Sequence, residues 1–238
     1  MIDNVHEKQK ILIKTLHENG ASLVGFGDVS FLGNEITRKF PVAISLGVKY
    51  EEKIVDNLNT AEESFHNHLV ELNIPMERLM NTAEDLLSEW GYQYAAMPIA
   101  VPIMSNKQLQ ELQIFPHKTA ATCAGLGWIG KCALLVTLEY GPRIKLGTVL
   151  TNAPFQTAEP IVKDRCGNCN LCVEACPYGA VHNANWERGM SRDKMLNAYL
   201  CNEKRLGYIS IIGRKHACGL CLQACNIGKK TKKDNGII

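Results

Sequence analysis

The 238-residue chain is 46% hydrophobic, carries a formal net charge of +2 and contains ten cysteines. That length and apolar content suit one large globular domain or two modest ones with real cores, and exclude a disordered chain. No apolar run approaches the roughly 20 residues that span a bilayer, and the opening MIDNVHEKQK lacks the apolar stretch of a signal peptide, so the expectation is a cytoplasmic protein with no membrane segment.

In chain order, HEKQKILIKTLHENG has apolar residues at helical spacing and stops at Gly20. SLVGFGDV and FPVAISLGVKY are short, apolar and rich in Val and Ile, as buried strands are. Two helices are expected next, over Thr60 to Asn73 and from about Pro75 to Trp90, with Gly91 as the stop of the second. His66 and His68 in FHNH do not share a helix face and are expected at the surface. YQYAAMPIAVPI and a polar connector lead to a short helix, PHKTAATCA. ALLVTLEY and RIKLGTVLT, joined by Gly141 and Pro142, are expected to form a hairpin, and residues 151–165 a linker. This order of elements predicts an α+β fold rather than a βαβ series.

Between the short helix and ALLVTLEY lies GLGWIG, residues 125–130, which satisfies the GxGxxG pattern. A dinucleotide fingerprint has a strand before its glycines and a helix after them, so that phosphate meets a helix N-terminus. Here the order is reversed, and the glycines suit a tight helix-to-strand turn; close approach to a cofactor other than NAD remains open.

Eight of the ten cysteines fall between Cys166 and Cys225, a crowding that suits a metal site better than a disulfide framework. CGNCNLCVEACP places Cys166, Cys169, Cys172 and Cys176 before Pro177 in the ferredoxin run C-x2-C-x2-C-x3-C-P. The fourth cysteine of such a run serves a second cluster in two-cluster proteins, and CGLCLQAC supplies Cys218, Cys221 and Cys225, with Cys201 upstream. Eight thiolates divide into two [4Fe–4S] sites. The rival, a zinc ribbon, needs only C-x2-C pairs and leaves the longer run unexplained. Cys123 and Cys132, outside this group, read as small buried hydrophobes.

Charge follows the same division: residues 1–155 hold 13 Lys and Arg against 17 Asp and Glu, a net of −4, and residues 156–238 hold 13 against 7, a net of +6. Two oxidised clusters with four thiolates each carry about four negative charges, so much of the basic excess is absorbed by them. Lys163, Arg165, Arg214 and Lys215 are placed for that role.

AGLGWIGK, then the C-x2-C-x2-C-x3-CP run and the later C…C-x2-C-x3-C, resembles the epoxyqueuosine reductase family, which is related to the reductive dehalogenases. The resemblance is specific over residues 117–225 and loose before them. It implies a nitroreductase-like α+β domain over residues 1–155 that binds cobalamin and substrate. A ferredoxin-like domain with two [4Fe–4S] clusters follows over residues 156–238. The implied ligand sets are Cys166, Cys169, Cys172 and Cys225 for one cluster, and Cys176, Cys201, Cys218 and Cys221 for the other. Electrons from a donor such as ferredoxin or flavodoxin would pass through the clusters to a corrinoid, whose Co(I) state reduces a small-molecule or modified-nucleoside substrate. Gly125, Gly127, Trp128, Gly130 and Lys131 would contact the cofactor, with Trp128 equally suited to the core. Glu111 falls where the family places its acid, and His117 is the rival proton donor.

The chain departs from the family pattern in four places. Cys132 stands where Asn is common, Asn226 replaces the proline after Cys225, the Cys176-to-Cys201 spacing is long, and the chain stops soon after Cys225, as in a short form without helical repeats. With little basic charge left over for phosphate contacts, tRNA is not expected as a partner. Two other readings stay open: a cluster-bearing electron carrier or reductive activator of a partner protein, and a flavin enzyme on the same scaffold.

Overall fold

A computed structural model describes residues 4–58, 64–99, 115–204 and 218–229. α1 (Val5–Glu18) starts at Asn4, whose side chain accepts the His6 N–H, and buries Leu12 and Leu16 on its inner face. β1 (Leu23–Asp28), α2 (Glu35–Lys39) and β2 (Val42–Lys49) follow, then three helices, α3 (Glu52–Asp56), α4 (Ser64–Glu71) and α5 (Asn73–Glu89), and β3 (Tyr94–Ala96). Beyond them come α6 (His117–Cys123), β4 (Trp128–Ile129), β5 (Leu135–Val136) and β6 (Ile144–Thr151).

β1, β2, β6 and β3 form, in that order, a four-stranded antiparallel sheet in which Ile44 of β2 lies between Phe26 and Val149. β2 is buried along nearly its whole length because both of its faces are covered, which is why its sequence is apolar without alternation. Val42, Ile44, Leu46 and Val48 point to the face covered by α1 and α5, where they meet Leu12, Leu16, Met76, Leu79 and Leu87. Ala43 and Leu150 point the other way, onto Ala120 and Cys123 of α6. The architecture is thus mixed α/β, helices on both faces of an antiparallel sheet. The approach of α6 is close enough to select the sequence of β1: a Cβ at Gly27 would lie 2.6 Å from the backbone of Cys123 and Ala124.

Three expectations need correction. ALLVTLEY and RIKLGTVLT do not pair; β5 pairs with β4, and β6 lies between β2 and β3 in the main sheet. Ala133, at φ +57°, turns the chain where a strand was expected, so only Leu135 and Val136 remain extended. His68 is buried rather than at the surface, because α4 packs on Tyr50 and the ring accepts the Glu51 N–H at 3.0 Å. Residues 151–165 are anchored rather than free. Gln9 exchanges two hydrogen bonds with the Gln156 backbone, Phe155 is buried against Phe26 and Tyr92, and the Ala158 and Ile161 N–H groups donate to Phe26 and Thr122.

The cysteine-rich half is built on short elements. α7 (Leu171–Glu174) follows the first run, residues 198–204 include a helical stretch holding Cys201, and α8 (Leu220–Ala224) carries Cys221 and packs on α7 and α3. Leu222 is buried with Val55, Leu58 and Phe65, and Gln223 Nε2 donates to the carbonyls of Val55 and Asp56. None of the described helices is long and apolar enough to cross a membrane.

Candidate iron-sulfur centre and its wall

The glycine motif resolves into two pieces of local geometry. Gly125, at φ +68°, ends α6: the Gly125 N–H donates to Thr122 and the Leu126 N–H to Ala121, which is the paired hydrogen bonding of a Schellman motif. The first glycine therefore closes a helix instead of opening one, so a dinucleotide phosphate finds no helix N-terminus there. The rest of the motif is the β4–β5 hairpin, with Gly130 N–H donating to Leu134 and Ala133 N–H to Gly130.

Gly127 and Gly130 do not keep an open face for a cofactor. A Cβ at Gly127 would meet the Val136 carbonyl oxygen at 2.3 Å, and one at Gly130 would meet Val136 Cγ2 at 2.6 Å. Both glycines are required by the partner strand of their own hairpin. Trp128 is 1% exposed, packs with Val136, Trp186 and Met195, and donates from Nε1 to Cys166 Sγ at 3.4 Å. Lys131 is buried and donates to Asn183 Oδ1 at 2.9 Å. The Trp128 and Lys131 side chains, expected to contact a cofactor, are thus turned toward Cys166 and Asn183.

The cysteine segment is assembled by contacts far apart in sequence. Arg143, 2% exposed at the start of β6, donates to the carbonyls of Gln223, Cys225 and Ile227. Trp128 and Trp186 pack with Cys166, Cys225 and Ile227 in one apolar cluster. In the first run, Asp164 accepts the Cys166 N–H, Cys169 N–H donates to the Cys166 carbonyl, and the Ala180 N–H donates to Cys176 Sγ at 3.3 Å. Cys169 is exposed, the other seven of the eight are partly buried, and Cys123 and Cys132 are buried.

The sulfurs of the two cysteine runs act on one another, with Cys172 a neighbour of both Cys225 and Cys221. Cys225 is raised by burial and by the nearby Cys166 and Cys172 thiols, partly opposed by Arg143. Cys221 is pushed up to about 12, first by burial and then by Cys201 and Cys218, with Cys172 and Cys176 further contributors. Thiols that raise one another in this way share a confined space and gain from a cation that takes their protons' place. Among the described residues no three Cys, His, Asp or Glu side chains converge on one point where a single ion would sit. The C-x2-C-x2-C-x3-C-P spacing of residues 166–177 is the one that suits a cubane, in which each thiolate has its own iron. Arg165, whose guanidinium lies 5.6 Å from the Trp128 ring centroid, is one of the cations beside this segment.

Of the two acids expected to supply a proton, Glu111 lies outside the described residues, as do Arg214 and Lys215. His117 is buried, with Nδ1 2.9 Å from Thr148 Oγ1 and Nε2 2.9 Å from the Pro98 carbonyl oxygen. A carbonyl only accepts, so Nε2 carries the proton and Nδ1 accepts from the threonine hydroxyl. Burial lowers the His117 pKa below the ordinary 6.5, with Lys145 acting in the same direction and the Pro98 hydrogen bond against it. The unfolded chain therefore binds this proton more readily than the native one. His117 contributes stability that is complete above about pH 6.5 and is lost as the pH falls below it. Thermal melting of the iron-loaded protein between pH 7.5 and about 5.5 should show a falling midpoint. The fall should be shallower in His117→Gln, which keeps a donor for Pro98 and does not titrate; equal slopes would contradict this assignment.

The comparisons with known proteins agree with this geometry. Residues 159–182 match the 4Fe-4S binding domain family, so the chain carries a cluster-binding module. An epoxyqueuosine reductase from Listeria monocytogenes is 38% identical over 129 residues, which are 52% of this chain and 33% of that protein. An epoxyqueuosine reductase solved with an epoxyqueuosine-modified tRNA-Tyr stem loop superposes with a TM-score of 0.61 at 19% identity, covering 94% of this chain and 66% of that one. A reductive dehalogenase whose structure was interpreted as a mechanism for B12-dependent dehalogenation gives a TM-score of 0.74 at 15% identity, over 97% of this chain and 33% of that one. The matched region spans about a third of the Listeria relative's length. Over the matched segment the sequence is similar to the epoxyqueuosine reductases, and the fold is shared with them and with the reductive dehalogenases.

Proposed function

We propose that this relative of the epoxyqueuosine reductases is an iron-sulfur reductase, in which residues 156–238 hold two [4Fe–4S] clusters and residues 1–155, the nitroreductase-like half, hold the electron acceptor and substrate. The ligand sets are Cys166, Cys169, Cys172 and Cys225 for the first cluster, and Cys176, Cys201, Cys218 and Cys221 for the second. The observation that carries this reading is the placing of Cys225, which Arg143 and the Trp128–Trp186 cluster bring to Cys166 across some 60 residues of sequence. A C-terminal cysteine returning to the first run is what a two-cluster ferredoxin arrangement requires.

When bound, the clusters supply one-electron transfer and a corrinoid supplies the cobalt centre that reduces the substrate. The corrinoid is supported by the B12-dependent neighbour. This chain's own residues do the rest. Cys169, at the surface, marks the edge of the first cluster nearest an incoming donor of the ferredoxin or flavodoxin kind. Trp128 and Val136 of the β4–β5 hairpin pack in the same apolar cluster as Cys166 and Cys225 and would keep water from an iron-sulfur cluster held there.

The substrate class is a modified nucleoside bearing an epoxide, whose deoxygenation takes up two electrons and two protons and releases water. Glu111 is the proposed proton donor, since both ring nitrogens of His117 are already engaged. The charge argument against tRNA is not supported: a neighbour of the same fold was solved with a modified tRNA stem loop, so a tRNA-borne nucleoside stands as the proposed form of the substrate. The rival reading, an electron carrier or reductive activator, predicts the same clusters without a cobalamin response.

Anaerobic purification with iron and sulfide analysis, then titration of cob(II)alamin followed by absorbance and EPR, separates the readings. About eight irons per chain with a base-off cobalamin spectrum supports the corrinoid reductase. Eight irons with no cobalamin response supports the carrier, and zinc in place of iron overturns both.

A further inference from the structure

Cys132 belongs to neither ligand set and takes the position where the resembled family commonly has Asn. It is 5% exposed, and it does not sit in the apolar interior as a mere filler. A Cβ built on Gly130 would lie 3.5 Å from Cys166 Sγ and 3.7 Å from Cys132 Sγ, so the two sulfurs flank the same point of the hairpin. The Cys132 side chain is hydrogen-bonded to Cys172. Its loop is held from outside by Lys118, which donates to the Ala133 carbonyl at 2.6 Å. Two groups of one hairpin, Trp128 Nε1–H and the Cys132 thiol, thus reach two cysteines of the first run, Cys166 and Cys172.

Resting on the two-cluster reading above, we propose that Trp128 and Cys132 are positioning residues for the first cluster, donating hydrogen bonds to the Cys166 and Cys172 thiolates and so raising that cluster's reduction potential. The direction follows from charge. Reduction adds an electron to an already anionic cluster, and a donor that draws density from a thiolate stabilises the more negative state. A buried site makes each such donor count for more than it would in water. A thiolate bound to iron carries no proton and can only accept, so Cys172 is the acceptor and the Cys132 thiol the donor of the pair. Lys131, buried between Trp128 and Cys132 in sequence, adds a positive charge near Cys172. An Asn at position 132 would also present N–H donors, so the departure from the family pattern changes the donor's chemistry and keeps its presence.

The test is a potentiometric titration of the full, cluster-loaded chain followed by EPR, comparing wild type with Cys132→Ala, Cys132→Ser, Cys132→Asn and Trp128→Phe. Cys132→Ala and Trp128→Phe should keep about eight irons per chain. Each should move one of the two cluster signals to lower potential and leave the other in place, and Cys132→Ser or Cys132→Asn should restore much of the shift. Unmoved potentials in Cys132→Ala would overturn the proposal. So would a fall to about four irons, which would make Cys132 a ligand instead of a donor. If Trp128→Phe does not fold, the three Cys132 variants decide alone. Failure of the underlying reading is visible separately, as a wild type without two [4Fe–4S] signals.

Discussion

Cys169→Ala is expected to halve the iron of the purified protein, from about eight atoms per chain to about four, while the EPR signal of the remaining cluster persists. Cys169 is the middle thiolate of the first set, on the tight turn where its N–H donates to Cys166. No other sulfur can take its place without unfolding that turn: Cys166 and Cys172 are already committed on either side, and Cys132 is held in the hairpin behind them. The second set draws on α8 and the helical stretch at 198–204, which Cys169 does not touch in sequence, so its cluster should assemble normally. Reduction of the acceptor should fall by more than the ~10–100-fold that loss of an outer-sphere partner costs a metal site. Full iron content with undiminished reduction would remove Cys169 from the site.

The cysteine run was legible from sequence because its information is local. Four thiolates within eleven residues, followed by Pro177, have the spacing of a ferredoxin run, and the structure places the first three around tight turns and a short helix. GLGWIG was legible for the same reason: the helix before it and the strand after it fix the first glycine as a cap. What escaped was pairing. ALLVTLEY has strand composition, yet Leu135 and Val136 alone are extended as β5, since Ala133 turns the chain and β6 finds better partners in β2 and β3. Strand partners depend on which face must be buried, and no window of sequence reports that. The role of Cys132 escaped for a related reason. A lone cysteine in an apolar stretch reads as filler until the hairpin folds it against Cys172. His68 is expected at the surface because it shares no helix face with His66, and only the packing of α4 on Tyr50 reveals it as an acceptor for the Glu51 backbone.

Arg143→Ala is expected to produce the largest loss of stability short of removing a cluster, and to do so selectively at the return of the chain toward Cys225. Arg143 immediately precedes β6, and its guanidinium reaches three carbonyls, those of Gln223, Cys225 and Ile227, at 3.1 to 3.4 Å. Hydrogen bonds from a charged donor are worth about 1.5–3 kcal/mol each, and truncation leaves the partly buried carbonyls to find water or go unmet. A loss of about 3 kcal/mol or more is the expectation, read as a lowered denaturant midpoint with the slope unchanged. Backbone crowding makes the same junction unforgiving. Gly141, at φ +54°, faces Ile227, and a Cβ there would fall 2.0 Å from its carbonyl oxygen, so the two segments meet without room for a side chain. Releasing Arg143 therefore frees residues 225–228 from a junction that, together with the Trp128–Trp186 cluster, brings Cys225 to the first run. Iron should be lost from the first cluster faster than from the second on exposure to chelator, and Arg143→Lys, with one point charge in place of a planar fork, should recover only part of the difference. Equal rates of loss from both clusters would mean that Cys225 is held by something other than Arg143, and would weaken the assignment of Cys225 to the first set.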